Sequence, residues 1–494
     1  MESNVEKLTI LNKYYIEQLK LNRQQKYAAS SEKMEHSGQI SFFDEAESVI
    51  AENPIIPEPT EETIVVKKKK RGSNFDNLPV ETIEYILEDR KCPNCNEELH
   101  NMKKEVRKEL KFVPAKISIV EHITYIYACR NCENTGISGT IIRANSPKAL
   151  VEKSFVSPSL MANIMNEKYS KAMPLDRQEK EFMRQGINIS KQNLSNRIIK
   201  GAQLLEPLKN NLKSELVKDD ILHADETVLE VLCEPGRDAE TNSYMWVYRT
   251  SGNTEKNVVL YDYTETRTGK YPKEYLKDFH GYLHTDGYAG YHQLEPQITL
   301  LGCWAHLRRK FHDAFKLLDK NSSQDNLENK ALALIGEIFK IEEDIYSKSP
   351  KEKYDAGNLK SKVKVAEFYD FVDKYQGVTL PKSPLGKAFT YAINQKKFMV
   401  RFLENGKAEI SNNRVERSIK PFVIGRKNWL FSNTPSGAKS SAIIYSIIET
   451  AKENNLKPQR YLEYIFEQIQ QNVKSDNSIL LPWCKTLPDD LRLK

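Results

Sequence analysis

The spacing of apolar side chains changes character several times along the chain, and each change marks a segment. Leu8, Leu11, Tyr15 and Leu19 recur at steps of three and four. That is the period of a helix with one apolar stripe, so residues 1–30 predict an amphipathic helix or a short coiled coil. Residues 31–75 lose all periodicity. They hold "ENPIIPEPTEE" and the run "KKKKR" from Lys67 to Arg71, a composition too polar to bury a core, and read as a flexible basic linker. Within residues 76–145 the run "KISIVEHITYIYAC" is dense in Ile, Val and Tyr and reads as strand.

Helical spacing returns over residues 146–215 and breaks at "QGINIS", where Gly186 ends one helix and Ser190 is placed to cap the next. The second helix opens with Lys191, Gln192, Asn193 and Arg197. Helix, glycine turn and capped polar helix make the pattern of a helix-turn-helix, though a plain helical hairpin shares it.

Residues 216–455 predict an α/β domain. "DDILHADETVLEVL", "SYMWVYRT" and "KNVVLYDY" read as three strands, "GKYPKEYLKDF" as a helix, "GYLHTDGY" as a fourth strand ending at Asp286, "ITLLGC" as a fifth, and "WAHLRRKFHDAFKLL" as a helix. Such an order predicts a mixed sheet with the first and fourth strands side by side. Residues 321–407 are charged and helical without any strand signal, an all-helical insertion. "GAKSSAIIYSIIETAKENNL" reads as a buried helix, and residues 456–494 as a C-terminal helix and tail.

Composition changes this picture little. With 494 residues the chain is long enough for about three domains. No apolar run approaches a membrane span, and "MESNVEKLTI" lacks the pattern of an export signal, so the expectation is a cytoplasmic protein. The net charge of +6 is small beside 74 Lys and Arg and 68 Asp and Glu. Its placement says more: "KKKKR", "LRRKFH" (with Arg308 and Arg309) and "ISNNRVERSIKPFVIGRKNWLF" are basic clusters suited to a nucleic-acid backbone.

Cysteine placement adds a metal. Four of the seven cysteines form "CPNC" (Cys92, Cys95) and "CRNC" (Cys129, Cys132). Two such knuckles suit one tetrahedral structural Zn²⁺ in a zinc-ribbon-like module with an insertion. Two unrelated pairs of reduced thiols are the bland alternative.

The last basic cluster contains one acid, Glu416. On a helix Asn412, Glu416 and Lys420 share a face, with Asn413 beside them, while Val415, Ile419 and Phe422 form an apolar stripe and Arg414 and Arg417 project elsewhere. Asp225 in the first strand and Asp286 at the end of the fourth would converge if those strands are neighbours. Facing carboxylates repel, and a divalent cation relieves that. Three carboxylates can hold two Mg²⁺ (or Mn²⁺) ions for displacement at phosphorus, while Arg414, Arg417, Lys420, Arg426 and Lys427 meet DNA phosphates.

The motifs together resemble the DDE transposases of bacterial insertion sequences, specifically the transposase of insertion sequence family 66. "SSEKMEHSGQISFFDEAE", "LPVETIEYILEDRKCPNC" through "YACRNC", "NEKYSKAMPLDRQEKEFMRQGINIS", "HADETVLEVL", "LHTDGYAGY", "GCWAHLRRKFHDA", "SNNRVERSIKPFVIGRKNWLFSNTPSGAKSSAIIYSIIETAKENNLKP" and "LLPW" carry the resemblance almost end to end. The chain departs from it at "YAASSEK", which lacks a Gly-basic pair, and at "LSNRIIK", which lacks a tryptophan. The resemblance implies a ribonuclease-H-like catalytic fold with Asp225, Asp286 and Glu416 as the metal triad. It implies that Cys303 and His306 of "CWAH" match a C-x-x-H string that would orient the scissile strand or a flipped base. It also implies DNA partners (terminal inverted repeats and target DNA), pairing of at least two protomers on DNA ends, co-encoded accessory proteins, and a bacterial enzyme at the nucleoid when bound. A DNA-binding regulator that has lost catalysis, or a structure-selective nuclease on the same fold, are the rival functions.

Overall fold

The computed structural model describes residues 117–123, 126–128, 141–143, 148–152, 154–252, 254–318, 326–471 and 477–493. The helix and linker expected over residues 1–75 lie outside them, as do Cys92, Cys95, Cys129 and Cys132. The described residues fall into two units, one within 49–146 and one from 147 onward. In the first, β1 (Ile126–Ala128) pairs antiparallel with β2 (Ile141–Arg143), Ala128 facing Ile141. β1 lies in the run expected to be strand.

The second unit opens with α1 (Pro158–Tyr169), α2 (Leu175–Arg184) and α3 (Lys191–Leu216). The break falls where the sequence places it. Gly186 takes a φ of +80° after α2, a conformation that costs a residue without Cβ little. The Ser190 hydroxyl accepts the Asn193 N–H at 3.3 Å, capping α3. The helix then runs for 26 residues. Leu194, Ile198, Ala202, Leu205, Leu208, Leu212 and Leu216 form one buried stripe along it, packed against α1 and against a C-terminal helix, α11 (Pro435–Glu453). A Cβ at Gly201 would meet the side-chain ends of Met165 and Met161 of α1, so the two helices approach closely at the glycine. These three helices therefore share one apolar core with the sheet that follows.

That sheet has the order β5-β4-β3-β6-β7. β3 (Ile221–Glu230) is central, antiparallel to β4 (Asn242–Thr250) and parallel to β6 (Tyr282–His284). β5 (Val259–Thr264) pairs antiparallel with β4, and β7 (Thr299–Leu301) parallel with β6. The first and fourth strands of the sequence-based order are neighbours, as expected. Helix α4 (Lys270–Tyr275) lies in the crossover from β5 to β6. β6 stops at His284, so Asp286 sits beyond the strand end rather than on it. Its Oδ1 accepts the Tyr288 N–H at 2.9 Å, and Gly287 turns the chain with a φ of +90°.

β5 is an edge strand whose outer backbone is not left bare. The hydroxyls of Ser446 and Thr450, one turn apart on α11, substitute for a neighbouring strand. Ser446 Oγ accepts Tyr261 N–H at 2.8 Å, and Thr450 Oγ1 accepts Val259 N–H at 3.0 Å and donates to Val259 O at 2.9 Å.

A second apolar cluster is purely helical. α5 (Trp304–Lys316), α6 (Leu327–Asp344), α8 (Lys362–Tyr375) and α9 (Pro384–Met399) surround Trp304, Phe311, Ile335, Phe368 and Phe389, with α7 (Pro350–Ala356) alongside. Trp304 Nε1 donates to Met399 O at 2.9 Å. α5, which precedes the expected insertion, thus belongs to its core. The chain returns through α10 (Asn413–Trp429), packed on β3 and β4, then α11 and α12 (Pro458–Gln470). Leu480, Leu481, Leu487 and Leu491 complete the first core.

Candidate active site

β3 is buried along almost its whole length, because β4 and β6 flank it and α10 crosses it. Asp225 lies near its middle and is 7% exposed. Among the described residues it accepts one hydrogen bond, from the Glu226 N–H to Oδ1 at 2.8 Å. The parallel register sets His223 of β3 against His284 of β6. Asp225 and Asp286 therefore stand at equivalent steps, two residues further along neighbouring chains.

Glu416 comes to them from the first turn of α10, whose apolar stripe (Val415, Ile419, Phe422) is buried as expected. Its carboxylate meets α5: Oε1 is 3.5 Å from His306 Nδ1 and Oε2 is 3.7 Å from Arg309 Nη2. Oε1 is buried without a hydrogen bond, and so is His306 Nδ1. Cys303 stands at the N-cap of α5 and accepts the Asn412 N–H on Sγ at 3.1 Å. Donor atoms of Cys303, His306 and Glu416 lie within 4.8 Å of one another, close enough to share a cation. Burial opposes charge on His306, but Cys303 and Glu416 outweigh it and push its pKa up to about 10.

The carboxylates act on one another. Burial, then Asp286, Glu226 and Glu416, hold the Asp225 carboxyl well above the usual carboxylate range. A carboxyl crowded by others and strongly disfavoured in its charged form suits a divalent cation, yet among the described residues the donor atoms that lie within 4.8 Å of one another are those of Cys303, His306 and Glu416, not those of the three carboxylates.

Three participants escaped sequence reasoning. Glu226 alternates with Asp225 along β3 and is 4% exposed. Burial, then Asp286, push it up to about 7, against the pull of Arg267. Arg267 Nε donates to Glu226 Oε1 at 2.6 Å, and Tyr291 OH to Oε2 at 2.6 Å. Arg267 Nη2 also stands 3.8 Å from Asp286 Oδ2, with its guanidinium 3.9 Å from the centroid of the Tyr288 ring. The only sequence signal was a glutamate inside a strand otherwise rich in buried types.

The basic positions separate by exposure. Lys191, Gln192 and Asn193 are exposed on the first turn of α3, and Arg417 and Lys427 on α10. Lys420 and Arg308 are half-buried. Arg197 is half-buried too, its guanidinium 5.8 Å from the Phe155 ring centroid. Arg414 pairs with Glu409 at 2.8 Å and Arg309 faces Glu416. Arg426 is 5% exposed and belongs to the interior. Asn412 is fully buried, and Asn413 opens α10 with its Oδ1 buried and without a hydrogen bond. Among the described residues no helix is long and apolar enough to cross a membrane.

Over 419 residues the chain is 28% identical to a Sinorhizobium fredii (strain NBRC 101917 / NGR234) protein called "Uncharacterized protein y4qI", covering 82% of this chain and 76% of that one. A second protein of that strain, "Uncharacterized protein y4jD", is 28% identical over 434 residues, 84% of this chain and 83% of its own. Family models match three stretches: the zinc-finger binding domain of transposase IS66 over residues 89–133, which contains all four paired cysteines, the IS66 C-terminal element over 446–483, and the transposase IS66 family over 153–440. The last spans more than half of the chain, both aspartates and Glu416, and the protein belongs to the IS66 transposase family.

Proposed function

We propose that the chain catalyses metal-dependent DNA strand cleavage and strand transfer at the ends of a mobile insertion element, on a ribonuclease-H-like core. What supports this is that Asp286 and Glu416, carried by the β6 end and α10, lie near enough to Asp225 on β3 to hold its carboxyl well above the usual range. Asp225, Asp286 and Glu416 would hold the divalent ions, and two bound Mg²⁺ or Mn²⁺ ions would supply charge stabilisation at the attacking and leaving oxygens. The remaining work falls to the chain itself. Arg309 and His306 on α5 face Glu416 and restrict where its carboxylate points. Arg267 bridges Glu226 and Asp286 and holds the second aspartate beside the first. Exposed Arg417 and Lys427, with half-buried Lys420, lie on the helix that carries Glu416, so phosphates drawn to them arrive beside the carboxylates. The exposed first turn of α3 would meet terminal inverted repeats, and Cys92, Cys95, Cys129 and Cys132 would hold one structural Zn²⁺ in a second DNA-binding module. Two ends must meet in one reaction, so at least a dimer acts.

The test uses full-length protein, Mg²⁺ and labelled DNA taken from both flanks of the reading frame, where the proposal expects inverted repeats. Cleavage at the repeat ends and joining to a second duplex are expected. Glu416→Gln keeps the shape and removes the charge a metal needs. It should bind ends as the parent does and lose cleavage by roughly two orders of magnitude or more. Cleavage retained within about tenfold would overturn the triad. Cutting without joining would favour a nuclease, and binding without cutting a regulator.

A further inference from the structure

The two aspartates sit in the same short string on neighbouring strands, His223-Ala224-Asp225 on β3 and His284-Thr285-Asp286 at the end of β6. The histidines are register partners. Both are fully buried, and their rings stack with centroids 5.1 Å apart and planes 3° apart. Each ring turns one nitrogen toward the segment Glu409–Asn412, which leads into the helix of Glu416.

The hydrogen bonds fix which nitrogen carries the proton. Asn412 Nδ2 donates to Ala224 O at 3.0 Å, which makes Asn412 Oδ1 the acceptor. His223 Nδ1, 2.9 Å from that oxygen, is therefore the donor. His284 stands 2.6 Å from the Glu409 carbonyl through Nε2, which must donate there. The same segment is held from α5, since Trp304 N–H donates to Ile410 O at 3.1 Å and Asn412 N–H to Cys303 Sγ at 3.1 Å. Asn412 is fully buried and does not cap its helix with its side chain. Its amide is spent on β3 instead.

Resting on the assignment of the three carboxylates proposed above, we infer that His223 and His284 are positioning residues. By clasping Glu409–Asn412 to the two strands that carry Asp225 and Asp286, they set where Glu416 stands relative to both. Neither touches the reacting atoms.

The two histidines use different nitrogens, and that gives a crossed test. An asparagine amide overlays the Nδ1 side of a histidine and a glutamine amide the Nε2 side. His223→Asn and His284→Gln should keep the clasp, whereas His223→Gln and His284→Asn should lose it. The readout is Mn²⁺ binding to the full-length chain, followed by electron paramagnetic resonance of the free ion. Affinity close to the parent is expected for the first two variants and about tenfold or more weaker for the second two, the range for groups that orient metal ligands. A role in filling volume alone would not reverse its preference between the two sites. If Asp225→Asn and Glu416→Gln leave Mn²⁺ binding unchanged, the carboxylate assignment itself fails. If those two weaken it while all four histidine variants behave alike, the clasp is overturned and the assignment stands. Should a histidine variant not fold, Asn412→Ala removes the His223 bond from the other side, and unchanged Mn²⁺ affinity there would equally overturn the clasp.

Discussion

Glu226 and Asp225 are adjacent in sequence and alike in chemistry, yet the fold gives them opposite assignments. Asp225 is left facing other carboxylates, whereas Glu226 is satisfied by Arg267 and Tyr291. Arg267→Ala would strand a glutamate whose side chain is 1% exposed. Breaking a buried pair from one side costs about 3–5 kcal/mol. Because the Arg267 side chain is 39% exposed, the expected loss is nearer 2–3 kcal/mol. Urea denaturation of the parent and variant measures it, and a loss below about 1 kcal/mol would show that Glu226 is held by Tyr291 alone. Each member of the proposed triad carries a local sign in the sequence: an acid inside an apolar strand, an acid at a strand end, an acid alone among bases. Arg267 carried none. It is 41 residues from Glu226, in a polar loop, and only folding brings it to the site.

At the scale of elements, hydrophobic period was enough to order the five strands and to place the break between α2 and α3. It could not say what α11 does with its hydroxyls. "SSAIIYSIIET" reads as a helix buried all round, and it is one, but Ser446 and Thr450 reach the outer edge of β5 only because the sheet ends there. Thr450→Val keeps the shape and removes a hydroxyl that serves both Val259 N–H and Val259 O. Leaving buried backbone groups unsatisfied costs about 1–3 kcal/mol. Thermal unfolding of Thr450→Val should show a loss in that range, and an unchanged midpoint would mean that water replaces the hydroxyl. The pair of helices on either side of Gly186 was legible as a pattern but not as a position. The apolar stripe of α3 finds only part of its partner in its own segment, on α1 and α2, and the structure supplies the rest from α11, far later in the chain.

For the whole molecule, two measurements test the partners proposed above. Metal analysis of protein purified without chelator should find one zinc per chain, and Cys92→Ser with Cys129→Ser should abolish it while the α/β unit, which folds around its own core, stays intact. Zinc retained in that double variant would remove those cysteines from the site. End binding should weaken with salt at a log–log slope of about −0.9 per phosphate neutralised. Arg417→Ala and Lys427→Ala should each reduce that slope by about one if their exposed side chains reach the backbone. An unchanged slope in both would place the DNA elsewhere. The course of α3 bears on how recognition can change in such a protein. From its exposed first turn the helix continues for about 39 Å into the core beside α11. A chimera that exchanged residues 146–215 for those of a relative would import half of a hydrophobic interface along with the new polar turn. Swapping the first turn alone, Lys191 to Asn193, would leave that interface whole. On the proposal that the tip of α3 meets the DNA ends, preference for one end over another can drift by point substitution there, but it cannot be traded between proteins as a detachable cassette.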